Sequence, residues 1–425
     1  MAENKWCTGR EGMHNPPMVI RPKRATRSQV PPVAPEIAAR PNTSRSTQRT
    51  SFADRRAIET VNGVPTLSGT PRPMDQALGV HFKKVLGSQT LSANAANDKH
   101  LQRLEEASKL IGTIERFPGR LGSVTTMKTE HAFKLYRYLF PNKNEREETS
   151  VIKARLIKYD AGARANGEGF FALGITDKQN NVIAYTQGST VPCDQGVFYY
   201  WQYGGVADAQ YMKKNYGQDV NPREHGVLNT IHAANAATLN AAAAIANKPA
   251  LGMIWESEPR GLGDNPVDIQ FTAKRLEIHN RAGGRVMMGL TKKGELVNLH
   301  LQPSLGKGKD PIALHMMYRP LAYAEGEELK RGEMKKEDAS SMLLAWANNF
   351  RVEGFAESDV AAAEAEMKTR IDGCEKIVLL PASDVPDVVT LAKTDEILWR
   401  QVRDTYGVKD LSEARSFYDA AMAKS

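Results

Sequence analysis

Cysteine is scarce in this 425-residue chain: Cys7, Cys193 and Cys374 are the only three, and they lie far apart. No CxxC pair and no Cys/His spacing of a zinc site occurs, so no metal ligand is assigned. Three scattered thiols build no disulfide framework, which makes a reducing compartment the default. Long apolar runs are also missing. With no stretch of eighteen apolar residues, no transmembrane helix is expected. The opening MAENKWCTGREG has no apolar core, so a Sec signal peptide is not expected either. HExxH, GxSxG, the kinase set, an EF-hand loop and a paired-carboxylate signature are all absent. That silence counts against the commoner enzyme classes, although a site dispersed along the chain leaves no local motif. No cofactor motif is present, and no repeat at a fixed period points to a solenoid.

What the chain does have is an uneven distribution of charge. Apolar content is 41% and charged content 25%, ordinary for a globular protein. Residues 1–60, however, hold eleven Lys/Arg against five Asp/Glu, a net +6. The other 365 residues hold forty-six against forty-four, a net +2. The stretch NPPMVIRPKRATRSQVPPVAPEIAARPNTSRSTQRTSFADRR, residues 15–56, carries seven prolines and few large apolar side chains. Such a segment buries too little to repay the entropy of ordering. Residues 1–62 are therefore read as a disordered basic Pro/Arg/Ser-rich arm. The body is read as 63–425, with any internal division near 256.

Within the body, helices are expected over 73–87, 97–115 and 125–140, the second with Asn97 or Asp98 as its cap. A strand-rich stretch follows, beginning with VIKARLIKYD at 151–160. GFFALGITD and VIAYTQGST flank a turn at Lys178–Asn181 and give a strong hairpin signal. RVMMGLT and LVNLHLQPS flank a second turn at Lys292–Glu295, with IQFTAKRLEIHN as a further strand before it. Between the hairpins, residues 221–247 form a long alanine-rich helix stopped by Lys248-Pro249. The C-terminal part returns to helix, with Asp338 and Ser358 as caps and Gly373 and Gly407 as terminators. The expected fold class is α+β and helix-rich, a mainly helical body with two β-hairpins.

Four features carry candidate chemistry, and each has a bland counterpart. Cys193 with His225 or His232 could form a nucleophile–base pair, but buried free cysteines are usually structural. His225 and His232 are seven apart, two helical turns, whereas helical zinc sites favour i, i+4. The loops SLGKGKDP (304–311) and AGARANGEG (161–169) could approach a phosphate through glycine, yet neither satisfies a P-loop or GxGxxG pattern. Phe198, Tyr199, Tyr200, Trp201 and Tyr203 could stack bases, but the run has no interleaved cations. It suits a core or a subunit contact better.

The arm ranks the functions. A tail for solubility alone would more naturally be acidic, while here arginine outnumbers lysine nine to two. Arginine matches phosphate geometry. The favoured reading is a structural nucleic-acid-associated protein, a self-assembling viral coat or nucleocapsid protein in the virion or host cytoplasm. Its partners would be genomic nucleic acid, RNA or DNA, and other copies of itself. Arg21, Lys23, Arg24, Arg27, Arg40, Arg45 and Arg49 would neutralise phosphates without reading bases. The alternative is a bacterial effector secreted into a host cell, with an N-terminal secretion segment and an enzymatic Cys/His body.

Overall fold

The computed structural model describes residues 57–61, 64–67, 106–107, 109–116, 127–141, 146–159, 162–281, 283–303, 311–320, 332–353 and 355–423. The helix expected over 73–87 and the caps Asn97 and Asp98 lie outside them. So does nearly all of residues 1–62.

The strands are β1 Ala57–Val61, β2 Val64–Leu67, β3 Ile111–Arg116, β4 Gly169–Asp177, β5 Val182–Pro192, β6 Val197–Val206, β7 Ala250–Ser257, β8 Arg285–Thr291, β9 Leu296–Asn298, β10 Leu301–Gln302, β11 Ile312–Ala313, β12 His315–Arg319, β13 Glu333–Met334 and β14 Cys374–Leu380. The helices are α1 Met127–Leu139, α2 Thr149–Lys158, α3 Ala209–Tyr216, α4 Val227–Ala246, α5 Pro266–Arg281, α6 Lys336–Val352, α7 Glu357–Gly373, α8 Val388–Leu391, α9 Glu396–Tyr406 and α10 Leu411–Met422. Twelve strands form one sheet in the order β13-β14-β8-β12-β7-β6-β5-β4-β3-β1-β2, with β9 beside β8. The α+β class is therefore right, but two hairpins were far too few. No helix among the described residues is long and apolar enough to cross a membrane.

Both expected hairpins form. In the first, Asp177 Oδ1 accepts from the amides of Gln179 (2.9 Å) and Asn181 (2.8 Å), and Asn180 takes a positive φ of 65°. An Asx turn ending on an asparagine is the local chemistry that such a turn needs. In the second, Gly294 supplies φ 79° between β8 and β9.

Three segments differ from their expected state. Residues 151–158 are helix α2, with Ile152 and Leu156 buried one turn apart. The run VIKARLIK fits both periods, and packing selects 3.6. IQFTAKRLEIHN is helix α5; its buried Ile269, Thr272, Ala273 and Leu276 are spaced i, i+3, i+4, i+7, and Pro266 opens it. Residues 111–115, expected as the end of a helix, lie instead in β3, which pairs with β4. The caps also differ. Lys335 and Ala356 stand at the N-caps of α6 and α7, and neither makes a side-chain cap bond. Gly407 does close α9 in the left-handed region, whereas Gly373 is the last residue of α7.

The β6–α4–β7 unit organises the sheet. β6 and β7 are parallel, whereas every other described strand pair is antiparallel. Their pairing stops at Tyr200 and Ile254. Beyond it β6 bonds only to β5, while β7 bonds to β12. Residue 256 thus lies inside a strand at the sheet's centre. The alanines of α4 are buried on several sides, so the helix seats closely on the sheet. On this face Trp201, His232, Trp255 and His279 pack in succession, with ring centroids 4.8, 5.9 and 5.3 Å apart. Successive strand residues point to opposite faces. Tyr200 accordingly packs on Trp346 of α6, on the other face.

Two predictions follow from this packing. A Cβ on Gly289 of β8 would lie 2.1 Å from the Cys374 sulfur. Gly289→Ala is expected to cost about 1–3 kcal/mol by overpacking. Gly289→Ala/Cys374→Ala should recover much of that loss, a non-additivity that urea unfolding of the three variants measures.

The second concerns acid. Burial, then the Arg275 charge, lowers His279 to about 3. Burial, then His300, lowers His315 to about 3. His315 fits this neutral state: its Nε2 accepts from the Arg260 amide, and its Nδ1 lies 3.0 Å from Asn298 Oδ1. Unfolded, each ring takes a proton near pH 6.5; folded, it does not until about 3. Between those values the unfolded chain holds more protons, so stability falls as pH falls. Each histidine contributes about 2 kcal/mol of loss from pH 6.5 to 5. Urea curves of His279→Phe and of wild type at both pH values test this. Equal pH dependence in the two proteins would mean that His279 is charged in the fold.

Candidate functional site

The seven arm residues Arg21, Lys23, Arg24, Arg27, Arg40, Arg45 and Arg49 lie outside the described residues, as does the loop 304–310. The other Gly-rich loop is packed. Gly167 bonds back to the Arg164 carbonyl (2.8 Å), and its own carbonyl accepts from Thr190 Oγ1 (2.7 Å). A Cβ there would meet Val197 at 2.8 Å, so the glycine serves packing.

Cys193 and the two histidines are not brought together. Cys193 is buried in the β5–β6 turn, and its carbonyl accepts from Lys248 Nζ at 2.9 Å, beyond the C-terminal end of α4. His232 sits in the first third of that helix, wedged between Trp201 and Trp255. About 21 Å of helix rise separates it from Ala246, the helix's last residue. His225 precedes the helix altogether, so the two histidines do not share a helical face. The aromatic run 198–203 is interior.

What the fold does assemble is a polar cluster on the α2/α6 face, where β6 and β7 part. Ligand sites of open sheets gather outside the carboxyl ends of strands at such a switch in direction. At its centre is Arg155 of α2, whose side chain is 13% exposed. Its Nη1 donates to Glu147 Oε1 (3.4 Å), Gln202 Oε1 (3.4 Å) and Glu353 Oε1 (3.2 Å). Its Nη2 donates to Ser189 Oγ (3.0 Å), and the guanidinium lies 3.9 Å from the centre of the Phe170 ring.

The carboxylates are held from several sides. Glu147 stands just before α2, and the hydroxyl of Tyr136 fixes its backbone by accepting from its amide (2.9 Å) and donating to its carbonyl (3.1 Å). Glu147 Oε2 accepts from Gln187 Nε2 (3.1 Å), and Gln187 Oε1 accepts from Tyr185 (2.5 Å). Glu353, just past α6, accepts from Gln202 Nε2 (2.5 Å) and Asn349 Nδ2 (2.9 Å). Gln202 lies on the same face as Tyr200, two residues before it, and is the extra residue of a β-bulge: Gly188 opposes Trp201 and Gln187 opposes Tyr203. The bulge turns Tyr203, which strict alternation would send to the face of Trp201, towards Tyr136 and Phe140 instead.

Beside this group a second set runs inward. Tyr200 donates to Glu256 Oε2 (2.8 Å), and Glu256 Oε1 lies 2.8 Å from His300 Nε2. Burial, and then the charges of Glu256 and Glu353, raises the Tyr200 phenol well above its usual range. Tyr185 is raised by burial and then Glu147. Both therefore remain protonated donors at neutral pH. A cavity of about 210 Å³ opens against Arg155, walled by Tyr159, Ser189, Thr190, Asn348 and Asn349. The wall also carries the Glu168 carboxylate and apolar Val191, Pro192 and Ala345, so hydroxyls, amides, a guanidinium and a carboxylate set in apolar surface suit a small molecule with a few polar groups; the buried carboxylates and phenols of the neighbouring cluster are groups of the acid–base kind.

Apart from Tyr200, named as part of the aromatic run, none of this cluster was singled out from the sequence, although a signal existed. Gln187, Gln202 and Glu256 are polar residues inside otherwise apolar strands, and a buried polar group needs partners. No group of three or more His, Cys, Asp or Glu among the described residues could hold a metal ion. No family model, no curated protein and no solved structure matches this chain.

Proposed function

We propose that this chain is a structural nucleic-acid-associated protein of the coat or nucleocapsid type, its basic N-terminal segment neutralising phosphates while copies of the body assemble. The observation that carries this reading is the charge partition, +6 in residues 1–60 against +2 in all the rest. Non-specific phosphate contact needs little beyond such a segment. Contacts between copies cannot use the aromatic run, which is interior. The large apolar side chains exposed on the described surface, Ile157, Ile245 and Val267, are few, so such contacts would be polar or made by other segments.

The test is light scattering and the 260/280 nm absorbance ratio of protein purified without nuclease. A large particle or a high ratio, lost on deleting residues 1–60, supports the reading. A clean monomer free of nucleic acid sinks it.

The Arg155 cavity favours a second reading, an enzymatic or ligand-binding body behind a basic or secretory segment. Its site would be the Arg155 cluster, since Cys193 has neither histidine near it. A screen of small polar ligands by thermal shift separates the two. A ligand whose effect disappears in Ser189→Val supports the second reading.

A further inference from the structure

The cavity beside Arg155 has the size of a small ring compound. A cavity of about 150 Å³ takes a benzene, so one of about 210 Å³ takes a six-membered ring with substituents. Polar groups reach its wall from three elements: Arg155 from α2, Ser189 from β5, and Asn348 and Asn349 from α6. Ala345, Asn348 and Asn349 are spaced i, i+3, i+4, so they share one face of α6.

The hydrogen bonds already made leave this wall with both donors and acceptors to spare. Arg155 spends Nη1 on Glu147, Gln202 and Glu353 and one Nη2 proton on Ser189. Among the described residues its Nε and second Nη2 proton have no partner, and the Ser189 hydroxyl has no acceptor. Asn348 Oδ1 accepts from Arg351 (2.7 Å), and the Asn348 amino group has no described acceptor. Asn349 is the converse: its Nδ2 donates to Glu353 (2.9 Å), and its carbonyl oxygen has no described donor. The two charged groups of the wall are already paired. Arg155 has Glu147 and Glu353, and Glu168 accepts from Tyr159 and from Arg164 (3.2 Å).

This pattern selects against a charged ligand. A carboxylate or phosphate only accepts, so it would leave the Asn349 carbonyl unpaired and would lie against Glu168. An ammonium only donates, so it would leave the guanidinium and Asn348 N–H groups unpaired. Unpaired groups in a closed site are costly. A hydroxyl both donates and accepts, and several hydroxyls on one frame use the whole wall. The frame itself is better saturated than flat. The one aromatic ring among the described wall residues is that of Tyr159, which already has Lys158 and Arg164 over it at 5.1 and 5.2 Å. Val191, Pro192 and Ala345 are aliphatic, whereas a flat heterocycle gains most from a bare aromatic face. We infer that the Arg155 cavity binds an uncharged polyhydroxyl ring of monosaccharide size. The assignment rests on the body being ligand-binding, the second reading of its function, and names the ligand class.

The experiment is ligand-observed saturation-transfer NMR on the full chain, with a melting-temperature titration beside it. The probes are D-glucose, D-galactose, D-mannose and myo-inositol, with adenine and inorganic phosphate as contrasts. Polyols at high concentration stabilise most proteins by exclusion, so only a saturable response in the low-millimolar range counts. At least one polyol should give it. Asn348→Ala, at an exposed position, should leave the ligand-free melting temperature unchanged and weaken binding by about fivefold or more. Ala345→Leu puts a branched side chain into the cavity and should abolish binding. The uronate or amino sugar of the ring that binds should bind more weakly than the neutral sugar. Tighter binding of either charged form would overturn the inference, as would polyol binding that Ala345→Leu leaves intact. If adenine or phosphate binds, sensitive to Ala345→Leu, and no polyol does, the body is ligand-binding but the polyol class is wrong. If no probe binds, the inference falls together with the reading it rests on.

Discussion

Arg155→Met is expected to lower stability by about 3–5 kcal/mol. The guanidinium holds Glu147 and Glu353 at 3.4 and 3.2 Å, and those side chains are 2% and 5% exposed. Removing it leaves two carboxylates close together in the interior without its charge, beside the neutral donors Gln187, Gln202 and Asn349. Methionine keeps most of the aliphatic volume against Phe170, so the loss measures charge more than packing. The triple variant Arg155→Met/Glu147→Gln/Glu353→Gln should regain most of the stability, because a buried ion group replaced by neutral residues is often close to neutral in cost. Urea unfolding of the single and triple variants decides it. A single variant within 1 kcal/mol of wild type would mean that water reaches the carboxylates and the cluster is solvated. The same measurement bears on function: a triple variant that is stable yet unable to bind a small polar ligand would assign the cluster to binding.

How much of this was legible in the sequence depended on whether the signal was local. The hairpins at 178–181 and 292–295 were legible because turn chemistry lies within five residues. Helix α4 was legible from alanine density and Lys248-Pro249, and the C-terminal helices from their 3.6 period. Residues 151–158 and 269–280 were misread because β-branched residues at helix-compatible spacing satisfy both periods over ten residues. The central strands β7 and β12 and the near-edge strand β14 went unnoticed. ALGMIWES, HMMYR and CEKIVLL are short apolar runs whose pairing partners lie tens of residues away, so only the sheet identifies them. The cluster was hidden for the same reason. Glu147, Arg155, Gln202, Glu256, His300 and Glu353 are spread over two hundred residues, and no spacing rule joins them. Cys193 and His232 stood out by residue type alone, and the length of α4 keeps them apart.

For residues 1–60, the proposed phosphate role predicts a steep salt dependence. If the seven cations Arg21, Lys23, Arg24, Arg27, Arg40, Arg45 and Arg49 each neutralise one phosphate of a duplex, log K falls against log[salt] with a slope of about −6. Affinity for duplex DNA should then drop by roughly 10³-fold or more between 50 and 200 mM salt. Deleting residues 1–60 should abolish binding, since the remainder carries a near-balanced forty-six basic and forty-four acidic residues. Replacing one arginine, for example Arg24→Ala, should weaken binding modestly and reduce the slope by about one unit, equally for unrelated sequences. Fluorescence anisotropy with random and fixed oligonucleotides over a salt series reads all three. A flat salt response would remove the phosphate role. A marked sequence preference that survived deletion of residues 1–60 would move the interface into the body, and the parting of β6 and β7 would then be the first place to look for it.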